Sequence, residues 1–92
     1  MHVTCRLHAT AREAVGRKHV ERDVADGTTV RELLTALDAE HDGLGPLLFD
    51  AEGRLRANVN VLVNDESVRD PDWSLSDGDT LTVAPSVAGG TR

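Results

Sequence analysis

The sequence predicts a single α+β domain in which one main helix packs on one face of a mixed sheet of four to five strands. Three observations support this class. A chain of 92 residues is the size of one domain. Several short segments alternate apolar and polar residues with the period of a strand, and residues 26–40 have the period of a helix. The predicted order is strand, strand, helix, strand, short strand, strand.

Two strands are predicted near the start of the chain, within residues 1–7 and 18–24. Their inward positions recur at every second residue: Val3, Cys5, Leu7, Val20 and Val24. The intervening "HATAREAVGR" predicts a wide loop that reverses at Gly16. An antiparallel hairpin that pairs Leu7 with Val20 would place His8 and His19 opposite each other.

The clearest segment is "DGTTVRELLTALDAE", which predicts the main helix. Thr29 can cap its start, and Glu32 three residues later completes a capping box. The apolar residues fall on one helical face: Val30, Leu33, Leu34 and Leu37. The helix is predicted to stop in "HDGLGP", with Gly43 as a left-handed cap and Pro46 unable to continue the helix.

The second half of the chain predicts two further strands and a short one. Phe49 is expected to anchor an otherwise ambiguous segment into the core. In "NVNVLVNDESV" three valines lie in phase, so Leu62 between them should point to the sheet face away from the helix. The last strand is "TLTVA". We therefore expect a folded domain over residues 1–84 and a flexible tail over residues 85–92.

The composition limits the partners of the chain. A formal net charge of −6 argues against nucleic-acid binding, which needs a basic face. No apolar run approaches the roughly 20 residues that span a membrane. "MHVTCRL" does not have the pattern of a signal peptide. These features predict a cytoplasmic monomer with neither nucleic acid nor membrane as a partner.

No catalytic residue, metal or cofactor is predicted. Cys5 lies in the apolar phase of a strand, where a thiol is normally inert. His8 and His19 supply two ligands at most, and metal sites usually need three or four. No glycine-rich phosphate loop follows a strand and opens a helix.

The tail "APSVAGGTR" is the remaining candidate. A flexible end with an incidental glycine pair is one interpretation. Against it, Gly89 and Gly90 follow the last predicted strand after a short spacer without charges. Glycines lack a Cβ and adopt backbone angles denied to other residues. Such a tail can therefore pass through a narrow channel and deliver a carboxylate to a partner's reactive centre.

Four segments together resemble the ubiquitin-like β-grasp sulfur carriers (MoaD, ThiS and the small archaeal modifier proteins). They are "VTCRLHATAREAVGRK", "DGTTVRELLTAL", "LFDAEGRLRANVNVLVND" and "LSDGDTLTVAPSVAGG". His8 stands where an aromatic residue is usual in the molybdopterin carriers. The resemblance implies a β-grasp fold and a carrier that is itself no enzyme, but the substrate of an E1-like enzyme that adenylates Gly90 with ATP.

In most carriers the second glycine ends the chain, whereas here Thr91 and Arg92 follow Gly90. A free carboxylate is needed for adenylation, so we expect cleavage between Gly90 and Thr91. The resemblance implies a zinc metalloprotease of the JAMM type as the processing partner.

The adenylate has two fates in the family. Sulfide would give a thiocarboxylate, and a lysine of a target protein would give an isopeptide bond. We expect a dual modifier and sulfur carrier. The alternative is the dedicated small subunit of molybdopterin synthase, with the large subunit of that enzyme as partner. An iron–sulfur carrier is excluded because a single cysteine cannot ligate a cluster. A plain interaction domain stays open.

Two further expectations concern the surface. Leu62, His8 and Val87 are candidate contacts for the activating enzyme, although a single exposed leucine is also ordinary. Lys18 is the only lysine, so it is the only side-chain amine through which one copy could accept another. An ordinary surface charge is the competing interpretation of Lys18.

Overall fold

In the computed structural model, which describes residues 1–85, five strands form one mixed sheet and helices pack against it. The elements are β1 (His2–Leu7), α1 (Ala9–Val15), β2 (His19–Asp23), α2 (Val30–Glu40), α3 (Leu44–Leu48), β3 (Val59–Val63), β4 (Glu66–Ser67) and β5 (Thr80–Pro85). The strand order is β2-β1-β5-β3-β4, so the last strand lies at the centre. The predicted α+β class and the mixed sheet are confirmed.

The core lies between the sheet and the helices. Every second residue of β1, β3 and β5 is buried, which confirms the alternation seen in the sequence. The four predicted apolar positions of α2 are also buried, with exposures of 0–1%. Valine and leucine form nearly all of this core, and no aromatic residue is fully buried within residues 1–85.

Helix α2 begins with the predicted capping box. The Thr29 side-chain oxygen accepts from the Glu32 N–H at 3.2 Å, and a Glu32 carboxylate oxygen accepts from the Thr29 N–H at 2.9 Å. These bonds satisfy two backbone donors, one at each end of the box, that have no partner within the helix. The box therefore fixes the residue at which α2 starts.

The expected wide loop after β1 is wrong: seven of its residues form helix α1. Gly16 ends that helix at φ 82°, a left-handed conformation that glycine adopts without cost. The expected register is also wrong. Val20 pairs with Cys5 rather than Leu7, and His19 lies opposite Arg6. A slip by two residues keeps every side chain on its face, so alternation alone cannot set the register.

The main helix stops where expected, directly before His41, but the capping role predicted for Gly43 is wrong. Helix α2 ends at Glu40, and Gly43, at φ 98°, precedes the short helix α3 instead of capping α2. Pro46 lies in the first turn of α3, where its missing N–H costs no hydrogen bond. Phe49 is half-buried against the core, and the Arg31 guanidinium lies 5.6 Å from its ring centre.

The predicted domain boundary falls at the end of β5. Pro85 is still part of the strand, is buried and lies opposite Val59. The ordered strand thus runs one residue past the expected boundary at residue 84. The division into a domain and a tail stays a prediction.

The capping box gives a stability prediction. Thr29→Ala removes one half of the box and should lower the free energy of unfolding by roughly 1 kcal/mol. Thr35→Ala is the matched control, because Thr35 is exposed within the same helix and alanine favours helix formation. Urea denaturation measures both. Equal losses in the two variants would show that the box does not anchor α2.

Candidate functional site

The candidate site is the end of the sheet at which β5 stops, at Pro85. The segment that carries the diglycine follows this point in the sequence. β5 pairs in parallel with β1 and antiparallel with β3, so both of its edges are held by neighbouring strands. At its end, Leu7 lies opposite Val83, and the His8 N–H donates to the Val83 carbonyl at 3.0 Å. The root of the tail is therefore fixed between two neighbouring strands.

The face of the sheet that points away from the core lies beside this root. Thr82 and Ala84 of β5 are half-buried on that face, and the strand register places them opposite Leu62 and Asn60 of β3. Leu62 is half-buried, between buried neighbours on either side in the strand, so it lies on the face opposite the core. Arg6 of β1 is in register with Thr82 from the other side. Leu62 is thus the largest apolar side chain of this face among residues 1–85.

A basic groove lies beside the root, at the end of β1. It encloses about 300 Å³ and is lined by Arg6, Leu7, His8, Arg12, Lys18 and His19. No carboxylate lines it, and the ion pairs formed within residues 1–85 all lie elsewhere. Three cationic side chains and two imidazoles therefore gather at one spot of a chain whose net charge is −6.

Two local structures build this groove. The Leu7 N–H donates to the Lys18 carbonyl at 2.7 Å, which closes the β1–β2 hairpin around α1. The Gly16 N–H donates to the Arg12 carbonyl at 2.7 Å and ends α1 next to Lys18. The side chain of Lys18 is exposed to solvent. His8 and His19 line the same groove, although the strand register does not place them opposite each other.

Arg6, Arg12 and the groove as a whole were not predicted from the sequence. The charges of the groove come from β1, from α1 and from Lys18, which directly precedes β2. Because α1 is a helix, Arg12 lines the same groove as residues of both strands. The sequence does not indicate where α1 starts, because His8 precedes the helix and provides no side-chain cap.

Other titratable groups within residues 1–85 form surface ion pairs and no metal-binding cluster. Both ring nitrogens of His2 face carboxylates, Asp23 at 3.0 Å and Glu21 at 2.8 Å, and these hydrogen bonds raise the pKa of His2. No group of His, Cys, Asp and Glu in the described chain has a metal-binding arrangement. No helix there is long and apolar enough to cross a membrane.

Gly89, Gly90, Thr91 and Val87, which the sequence singled out, lie outside the described residues. Of the remaining candidates, the structure brings His8 and Lys18 into one groove. Leu62 lies across β5 from Arg6, a residue of that groove. An apolar patch and a basic groove therefore flank the root of the tail.

A five-stranded sheet of this order with a main helix across it is the ubiquitin-like β-grasp fold, and here its last strand leads to a diglycine. The model of the ThiS family matches residues 5–90, a range that ends at the second glycine, and the chain belongs to that family.

Named relatives and solved structures agree with this assignment. The chain is 42% identical to Small archaeal modifier protein 3 of Haloferax volcanii, over 98% of this chain and 100% of the relative. It is 38% identical to the sulfur carrier protein CysO of Mycobacterium tuberculosis, over 82% and 83%. The crystal structure of SAMP1 from Haloferax volcanii superposes with a TM-score of 0.84 at 32% identity, over 98% and 100%.

Cys5 gives a prediction that matters for any sulfur chemistry of the chain. It is 1% exposed, and burial raises the pKa of its thiol to about 12. The thiolate is the reactive form, so a thiol reagent should not label Cys5 in the folded protein. Labelling should appear on unfolding in guanidinium and be absent from Cys5→Ala in either state. Native labelling at the unfolded rate would place the thiol outside the core.

Proposed function

We propose that this chain is a ubiquitin-like protein modifier and sulfur carrier whose reacting group is the carboxylate of Gly90. One observation carries the proposal: the central strand, fixed on both edges, ends five residues before Gly90. Five residues reach at most about 18 Å when fully extended. The folded domain can therefore dock on a partner while the glycine enters that partner's active site.

An E1-like activating enzyme is the first partner. The Gly90 carboxylate attacks the α-phosphorus of ATP, pyrophosphate leaves, and an acyl-adenylate forms. Attack of sulfide on the acyl carbon then expels AMP and leaves a thiocarboxylate. Attack by a lysine amine of a target protein instead expels AMP, releases a proton and leaves an isopeptide bond. Both routes need the unhindered backbone that glycine provides.

A processing protease is the second partner. The peptide bond to Thr91 leaves Gly90 without a carboxylate, so the residues after Gly90 must be removed before activation. A zinc metalloprotease of the JAMM type is the expected enzyme. The dedicated alternative, a small subunit that serves only a molybdopterin synthase large subunit, requires the same cleavage.

The docking surface is proposed to combine Leu62 with the basic groove. Leu62, Thr82 and Ala84 offer a small apolar patch beside the tail root. The groove adds cations that lack ion-pair partners within residues 1–85. Charge complementarity favours an acidic surface on the activating enzyme, because opposite potentials steer encounter and orient the complex. Val87 would extend this contact along the tail.

Lys18 is proposed as the acceptor for a second copy of the chain. It is exposed at the rim of the groove and has no ion-pair partner among the described residues. Its ammonium is therefore free to approach the activated glycine of another copy.

The tail gives the first test. Deletion of Gly89 and Gly90 should abolish both protein conjugates and thiocarboxylate in the source cells. The fold should survive, because residues beyond the last strand seldom carry core contacts. Deletion of Thr91 and Arg92 is the matched control and should preserve both products. Conjugates that persist without the two glycines would contradict the proposal.

Leu62 gives the second test. Leu62→Asp should weaken binding to the activating enzyme about tenfold, since burying an unpaired carboxylate in a contact is costly. Its effect on the melting temperature should be small, because Leu62 is partly exposed. Thr35→Asp adds the same charge on the exposed side of α2 and should leave binding unchanged. Calorimetric titration measures affinity. A large loss of stability with unchanged affinity would assign Leu62 to the core instead.

A further inference from the structure

A second groove lies toward the start of β5, the end of that strand opposite the tail root. It encloses about 420 Å³ between the end of β3, strand β4 and the loop that leads back to β5. Its lining includes Val63, Glu66, Val68, Asp70, Trp73 and Asp79. The six residues of β5 span about 20 Å, so most of the sheet length separates the base of this groove at Asp79 from Pro85.

Trp73 is the prominent feature of this groove. Its exposed fraction is 50%, and it is the one large hydrophobic residue so exposed within residues 1–85. Its backbone is nonetheless fixed. The Trp73 N–H donates to the Asp70 carbonyl at 3.1 Å, and its own carbonyl accepts from the Val30 N–H at 3.0 Å. A further bond joins the Leu75 N–H to the Thr28 carbonyl at 2.9 Å.

These bonds tie the loop to the start of α2, and an ion pair between Arg31 and Asp72 at 3.0 Å adds to them. The indole is therefore held at the surface by a rigid backbone. An aromatic side chain held in this way loses little conformational entropy when a partner covers it. Tryptophan is also enriched among the residues that dominate binding energy at interfaces.

The groove chemistry selects a cation as its occupant. The indole supplies the exposed apolar surface, beside Val63 and Val68, which are each only 6% exposed, while Glu66, Asp70 and Asp79 supply carboxylates. The Glu66 carboxylate has no hydrogen-bond or ion-pair partner among the described residues. Asp70 uses one oxygen to accept from the Asp72 N–H at 2.9 Å, which leaves its other oxygen available.

The two remaining charged groups of the groove are already engaged. The Arg69 guanidinium donates to the carbonyls of Val59 and Arg56. The Asp79 carboxylate accepts from the Asn64 side-chain amide and the Ser76 N–H, both at 2.8 Å. The carboxylates free to pair with an incoming group are therefore those of Glu66 and Asp70.

We infer that this groove binds an arginine-bearing, partly apolar segment of a partner protein. The guanidinium would stack on the Trp73 indole and pair with Glu66 and Asp70, and apolar neighbours in the segment would pack beside the indole. Arginine fits better than lysine because its planar group stacks on aromatic rings and pairs with carboxylates through two bonds. Because the tail leaves the other end of β5, the segment can bind while an enzyme or a target protein holds the tail.

The probe is the peptide acetyl-Leu-Arg-Leu-Arg-amide, with the citrulline peptide as the neutral control of equal shape. Trp73 is the only tryptophan of the chain, so its fluorescence reports on this groove alone. The arginine peptide should shift the emission and move the amide resonances of Val63, Val68 and Trp73. The citrulline peptide should bind at least fivefold more weakly. Equal binding of the two peptides would overturn the inference.

Variants of the full chain locate the binding, measured by calorimetry. Trp73→Ala should weaken the arginine peptide about tenfold, in line with a desolvated cation–π contact. Glu66→Gln should weaken it severalfold. Glu13→Gln, which removes an exposed carboxylate on α1, should have no effect. Equal losses of affinity from Glu66→Gln and Glu13→Gln would show that the peptide binds by general charge attraction. That result would overturn the assignment of the groove as its binding site.

Two further controls separate this inference from the carrier function and from self-association. The chain without Gly89 and Gly90 should bind the peptide with unchanged affinity, so failure of the carrier proposal would leave this result intact. Without peptide, the Trp73 emission should not depend on protein concentration. A concentration-dependent shift would mean that a second copy fills the groove, and would overturn the assignment to a basic segment.

Discussion

The parallel pairing of β1 with β5 is the constraint on which the rest of the structure depends. It joins the first and last strands at the centre of the sheet, with Leu7 beside Val83 and Cys5 beside Leu81. Two adjacent parallel strands need a crossover connection between them, and the helices of this connection pack on the sheet. The buried valines and leucines thus serve both to form the core and to fix where the chain leaves the sheet.

The edge of the sheet formed by β3 and β4 is covered by residues that follow β4. β4 has only two residues, and the outer edge of β3 beyond it would expose backbone carbonyls. The Val68 N–H donates to the Val61 carbonyl at 2.8 Å, and the Arg69 guanidinium donates to the Val59 carbonyl. An arginine side chain thus replaces part of a strand. Exposed edges invite pairing with other chains, and this cover limits it.

The fold class and the main helix could be predicted because their signals are local. The Thr29–Glu32 box and the spacing of the leucines specify α2 without reference to the rest of the chain. Helix α1 could not, because it is short, has no side-chain cap and starts at Ala9 with φ 52°. The register of the first hairpin was also predicted wrongly, because α1 connects its two strands.

The two grooves could not be predicted for a related reason. Each assembles side chains that are distant in sequence, such as Arg6 with Lys18 and Val63 with Trp73. Their positions depend on strand register and on loop hydrogen bonds that no local pattern encodes. The diglycine, in contrast, could be recognised from the sequence alone, and the family match extends to it. The proposed chemistry therefore rests on the tail, and the structure supplies the surfaces around its root.

The central claim is that the chain acts through a carboxyl group at Gly90. Intact-mass spectrometry of the protein isolated from its own cells tests it most directly. We predict a species that ends at Gly90, without Thr91 and Arg92, and a fraction of it in which sulfur replaces one carboxylate oxygen. Because Cys5 is buried, a thiol reagent applied to the native protein should modify that fraction alone. Protein that retains the residues after Gly90 in every active state would contradict the account.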